Sequence, residues 1–223
     1  RRFPQKKGSW RVKRELGKIA TLGEEKVEET ESIFEKETDW KNLIILDAAR
    51  HDLYEEVNGQ TEPRNTVGSQ STEFIEKTFS EGDYSDIVYI TANTFFNEKK
   101  FEEITGRELG EVFHEVFHTY ADKWDDKNNT VMPGSVVQDA KTAEKLFPEK
   151  KKIIHFMQPH YPFVNSDLAD TGINPDLDRG EDDFSLWQLA EMREYDREDL
   201  WVSYRENLEL VMPYTEELVE ELS

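Results

Sequence analysis

Two groups of residues in this chain have types and spacings that could do chemistry. The first is His114-Glu115-Val116-Phe117-His118, an H-E-x-x-H pattern. On a helix its two imidazoles share a face and could clamp Zn²⁺, leaving Glu115 to activate water. The second group is spread along the chain: Asp47 and Arg50 after an aliphatic run, the loop Gly68-Ser69-Gln70-Ser71-Thr72-Glu73-Phe74, and His155 with His160. A carboxylate, hydroxyls and imidazoles are the parts from which ester-cleaving and anion-binding sites are built. They act together only if the fold brings them to one place.

The elements that must position them follow from hydrophobic runs. Leu43-Ile44-Ile45-Leu46 reads as a strand buried on both faces, ending at Asp47. In open α/β sheets the carboxyl ends of strands form the edge at which ligands bind. A plainer role for Asp47 is a helix N-cap with Arg50 solvated. Residues 86–92 and 152–157 read as further buried strands, the second carrying His155. His155 is expected either in the site or as a satisfied core histidine, whereas His160 lies between two prolines in a loop. Residues 65–69 look like a short strand opening into a loop, and Ser71-Thr72-Glu73 predicts a helix start. Apolar residues at 109, 112, 113, 116, 117 and 120 predict a helix over about 107–122, which would carry the H-E-x-x-H pair. That segment lacks the glycine and third histidine of the longer zinc-peptidase signature. Further helices are expected at 21–39, 134–147 and 184–222, with a loop at 165–183. Strands alternating with helices predict an α/β fold: three layers, α/β/α, around a mostly parallel sheet.

Composition narrows the function. A formal charge of −21 opposes nucleic-acid binding over most of the surface. Such a surface suits solubility in concentrated salt, a halophilic trait, although 17 Lys against 11 Arg is not an extreme balance. With 0 Cys, thiol nucleophiles and zinc–thiolate sites are excluded within this sequence. Residues 1–20 hold eight cations and one acid, and Trp10, Leu16 and Ile19 could form a weak apolar stripe. This basic arm is expected to dock on the acidic body, with peripheral contact to anionic lipid as the alternative. No run approaches the length of a membrane span, and a cytoplasmic setting is expected. Arg1-Arg2 at the start is read as a processed product or an excised piece. The domain reading is an arm at 1–20 and one α/β domain at 21–223.

The residues then suggest a family. Asp39-Trp40 with Leu43-Ile-Ile-Leu-Asp-Ala-Ala-Arg-His-Asp52 resembles the first metal-ligand motif of sulfatase-like hydrolases in the alkaline phosphatase superfamily. Gly68–Phe74 resembles the nucleophile loop, 86–93 the strand after it, and His155-Phe-Met-Gln-Pro-His160-Tyr-Pro-Phe the segment beside the substrate anion. The resemblance, in particular to archaeal sulfatase-like proteins, spans about residues 38–222. It implies a metal-dependent hydrolase or transferase acting on phosphate or sulfate esters, small-molecule or glycan. Asp47 and Ser71 would hold the divalent metal (Zn, Ca, Mg or Mn), and Ser71 would attack, with Ser69 and Thr72 as rivals. His160, His155 and Arg50 would serve the anion or the leaving group. Without Cys in the loop, formylglycine chemistry is not available, which turns the expectation toward phosphate esters or a plain serine enzyme. The family's Asp-His-Gly segment has no counterpart in this sequence. The metal is therefore expected to bind weakly or not at all, and catalysis to be incomplete. A non-catalytic anion- or partner-binding module and an H-E-x-x-H zinc peptidase are the alternatives.

Overall fold

The structure is a computed structural model, and it describes residues 40–64, 66–164 and 196–222. The basic arm, the predicted helix at 21–39, the loop at 165–183 and residues 184–195 of the predicted last helix lie outside them. Four strands form one parallel sheet: β1 (Asn42–Leu46), β2 (Tyr84–Thr91), β3 (Phe113–His118) and β6 (Lys151–Phe156), in the order β1-β6-β2-β3. A two-stranded antiparallel ribbon, β4 (Trp124–Asp125) and β5 (Thr130–Val131), follows β3.

Alternation along the strands divides the core into two halves. Ile44, Leu46, Val88, Ile90, Ile154 and Phe156 face one way. They pack under α1 (His51–Asn58), α6 (Pro133–Leu146) and α7 (Arg197–Glu221), through Leu53, Val136, Ala140, Leu208 and Val211. Leu43, Ile45, Ile87, Tyr89 and Ile153 face the other way. There α2 (Ser71–Phe79), α3 (Glu98–Thr105) and α4 (Leu109–Val112) cover them, with Ile75, Phe79, Phe101 and Val112 buried. Phe79 is the hub of this second half, meeting Tyr84 and Phe113 edge to face at 5.1 and 5.0 Å. The expected mixed α/β class with a parallel sheet covered by helices on both faces is what the chain forms.

The segment expected as one helix over 107–122 is instead α4, strand β3 and the short α5 (Thr119–Asp122). Phe113, Val116, Phe117 and Thr119 are β-branched or aromatic, and pairing of 115–118 with 88–91 of β2 outweighs the helical spacing of the apolar residues. Residues 66–70 are loop rather than strand.

Candidate functional site

Three strand ends and one helix end meet at the carboxyl edge of the sheet. β1 and β2 flank β6, so the residues that follow them lie on either side of His155. Asp47 continues β1 by donating its N–H to the Phe156 carbonyl at 3.1 Å, and its own carbonyl accepts from the His160 N–H at 3.0 Å. The backbone therefore fixes Asp47 against the segment that carries His160.

Asn93, just past β2 and 3 % exposed, joins the two expected centres. Its Nδ2 donates to Asp47 Oδ2 at 2.9 Å and to Ser71 Oγ at 3.1 Å. Its Oδ1 accepts from the Phe95 N–H at 2.9 Å, which fixes which way the amide faces. Ser71 is the first residue of α2, so its Oγ sits at the positive end of the helix dipole. Ser69, a rival for the nucleophile, is committed elsewhere: its N–H and Oγ both donate to Glu73 at 2.8 Å. With Lys77 bonded to the same carboxylate, these contacts hold the Glu73 carboxyl down to about 2. Ser71 alone among Ser69, Ser71 and Thr72 has a hydrogen bond into the Asp47 network. Gly68 makes this loop possible, because a Cβ there would lie 2.4 Å from the Phe74 nitrogen.

His155 stands behind Asp47 rather than beside the open space. It is buried, with Nε2 3.4 Å from Asp47 Oδ2 and Nδ1 3.0 Å from the Tyr89 hydroxyl. A carboxylate only accepts, so Nε2 carries the hydrogen toward Asp47, and Nδ1 meets the Tyr89 hydroxyl. The satisfied core histidine is thus the description that fits His155, with the added task of orienting Asp47. Burial pushes the Asp47 carboxyl up, but the hydrogen bond and attraction of His155, with the pull of His160 and the Asn93 amide, outweigh it. The net direction is down from the ordinary 3.8.

His160 lines a small cavity of about 50 Å³ together with Ser71, Asn93, Thr94, Trp124 and Thr130. Its ring stacks on Tyr161 at 4.4 Å, with Nδ1 donating to the Tyr161 carbonyl. The segment is pinned by Asn207 of α7, which is 1 % exposed. Asn207 Nδ2 reaches the carbonyls of Pro159 and His160 at 3.2 and 3.0 Å, while Oδ1 accepts from the Val164 N–H at 3.1 Å. Arg50 is not brought to Ser71. It is the residue before α1, exposed, forked onto Asp52 at 2.9 and 2.6 Å, and 5.7 Å from the Trp201 ring. Arg50, not Asp47, holds the N-cap position of α1. Between them Ala48 takes φ +60°, a strained value for a side chain with a Cβ. The Tyr204 hydroxyl donates to the Ala48 carbonyl and accepts from the Arg50 N–H.

The H-E-x-x-H pair does not form a zinc clamp. On strand β3 residues four apart are separated by about 13 Å, far beyond the roughly 2 Å ligand bonds of one zinc ion. His114 packs edge-on against Phe147, and His118 Nδ1 meets the Tyr120 hydroxyl at 3.2 Å. Burial pushes His118 down and Tyr120 up to about 12.

Among the described residues no three His, Asp or Glu side chains are grouped to hold a metal ion. Between Asp47 and Ser71, the expected ligands, stands the Asn93 amide nitrogen, a donor that repels a cation. One carboxylate and one hydroxyl fall short of the six or so oxygens that a hard divalent ion takes. These residues by themselves do not fit that ion. No protein-family model matches the chain, and neither does any curated protein or solved structure.

Three features escaped the sequence reading. Asn93 is the same kind of polar residue just past a strand as Asp47, but in the sequence it stands out only as the end of the segment 86–93. Asn207 carries no signal within its helix. The β4–β5 ribbon, which brings Trp124 and Thr130 to the small cavity, has no counterpart among the elements expected from the sequence.

Proposed function

We propose that this chain carries the anion-binding and nucleophile-bearing face of a hydrolase or transferase acting on phosphate or sulfate esters. The fold in this reading is alkaline-phosphatase-like, with Ser71 as the attacking hydroxyl. The observation that carries the reading is the Asn93 amide, which ties the Asp47 carboxylate to the Ser71 hydroxyl on a cavity that His160 also lines. The start of α2 favours negative charge there, and His160, whose Nδ1 is already committed, has Nε2 for a non-bridging or leaving oxygen. A divalent metal, which the sequence resemblance implies, requires ligands additional to Asp47 and Ser71.

The test is calorimetric titration of the 223-residue protein with inorganic phosphate and orthovanadate, with and without Mn²⁺ or Zn²⁺. Both anions bind the wild type, and Ser71→Ala and His160→Ala each weaken binding about tenfold. Any turnover of 4-nitrophenyl phosphate with metal is lost in Ser71→Ala. Equal binding by all three proteins would remove the basis for this reading.

One observation favours a second reading, a non-catalytic anion-binding module. The Asn93 nitrogen occupies the gap that a bridging cation would need. In that case phosphate binds, Asp47→Ala leaves binding unchanged, and no metal restores turnover.

A further inference from the structure

His160 and Tyr161 also line a second, larger cavity, about 290 Å³, whose other walls include Arg50, Phe163, Trp201 and Tyr204. It is built where the β1–α1 turn, the segment after β6 and the first turns of α7 come together. Five of its ten lining residues carry aromatic rings, and two, Arg50 and Arg197, are cations. Trp201 and Tyr204 lie 5.9 Å apart at 75°, Phe163 and Tyr204 6.1 Å apart at 44°, and the Arg50 guanidinium lies 5.7 Å from the Trp201 ring.

Several polar atoms on these walls are engaged within the protein, while His160 Nε2 and the Arg197 guanidinium are left to a ligand. The Tyr204 hydroxyl joins Ala48 and Arg50, His160 Nδ1 meets the Tyr161 carbonyl, and the Arg50 fork closes on Asp52. A polyhydroxylated ring entering here would meet Arg197 and His160 Nε2 and otherwise mostly carbon, too few partners to replace all of its water. An aromatic ring has nothing to lose in that respect, and gains stacking and a cation over its face. A cavity of about 150 Å³ holds benzene, so this one has room for one or two fused rings.

We propose that this cavity is a binding site for a planar aromatic ring. Taken with the ester reading, on which only this last step rests, the ring belongs to the same ligand whose anion occupies the small cavity. His160 and Tyr161 line both cavities, so the substrate class is an ester that carries an aromatic ring.

The experiment is ligand-observed NMR and calorimetry on the full chain with phenol, cyclohexanol, inorganic phosphate and phenyl phosphate. Phenol binds at least about tenfold more tightly than cyclohexanol, and phenyl phosphate about tenfold more tightly than phosphate. Trp201→Ala abolishes both preferences and leaves phosphate binding unchanged. Trp201→Phe retains them, which separates loss of the ring from loss of the fold. The inference is overturned if cyclohexanol equals phenol, or if Trp201→Ala leaves phenol binding intact. Phosphate failing to bind while phenol keeps its dependence on Trp201 would discard the ester reading and keep the ring site. Phosphate binding normally with no gain for phenyl phosphate would discard the ring-bearing ester assignment and keep the ester reading.

Discussion

Strand β6 buries an ionisable residue near each end, and the two ends are built to opposite plans. At the amino end Lys152, 0 % exposed, pairs with Glu144 of α6, whose other oxygen takes Lys41 at 3.0 Å. Burial pushes the Glu144 carboxyl up, the two lysines pull it down, and the net direction is down. This cluster is closed: both carboxylate oxygens are taken by cations, and neither of the two cavities is lined by it. At the carboxyl end His155 pairs with Asp47, and Asp47 is joined through Asn93 to a hydroxyl on a cavity wall. A buried charge in a central strand is therefore not a functional mark in itself. The mark is a network that continues past the pair to an atom facing open space.

Breaking the closed end has the largest expected effect. Glu144→Ala leaves Lys152 buried without its carboxylate and lowers unfolding stability by about 3 kcal/mol in urea denaturation. Lys152→Met, which removes the buried charge itself, stays within about 1 kcal/mol of wild type. If both variants lose the same amount, the amino end is not the closed structural pair described here. Next comes Asn207→Ala, which frees the carbonyls of Pro159 and His160 and costs about 2 kcal/mol. Because the same bonds aim His160, anion binding falls with stability, a coupling that Glu144→Ala does not show.

The open end has a pH signature. The Asp47 carboxyl titrates below its ordinary 3.8 in the folded protein, so its contribution is present above that value and lost as pH falls through the lower folded one. Asp47→Asn lacks that acid dependence and is about 1 kcal/mol less stable at neutral pH. The two proteins converge under acid, measured by denaturation from pH 7 to 2.5. The smallest effect belongs to the turn. Ala48→Gly relieves the positive φ and changes stability by at most about 1 kcal/mol, in the favourable direction. A loss instead would show that the Cβ of Ala48 makes a contact worth more than the strain.

What the sequence revealed follows the range of the forces involved. Ile87–Thr91 and Ile153–Phe156 announce themselves locally, because strands buried on both faces must be continuously apolar, and Leu43–Leu46 carries the same signal although it is half-buried at the end of the strand order. The polar residues ending two of them, Asp47 and His155, were legible for the same reason. The segment 113–118 was not, since its apolar spacing satisfies a helix as well as a strand, and only the free edge of β2 decides between them. Asn93, Tyr89 and Asn207 act through partners 46, 66 and 48 positions away, which no local pattern records. Arg50 was adjacent in sequence to the right residues and still turned away, because α1 starts there and Asp52 captures its fork.

Helix α7 grips strand β1 twice. Its Tyr204 bonds the turn just beyond the strand, and its Leu222 carbonyl takes Asn42 Nδ2, at the strand's first residue, at 2.8 Å. Eighteen helical residues span about 27 Å and the matching stretch of strand about 20 Å, so the helix serves as a splint laid along it. A ring lodged against Trp201 would press on this rod one turn from Tyr204. Because both ends of the strand are tied to the rod and Asp47 is bonded into β6, a displacement of the rod would have to move the strand with it.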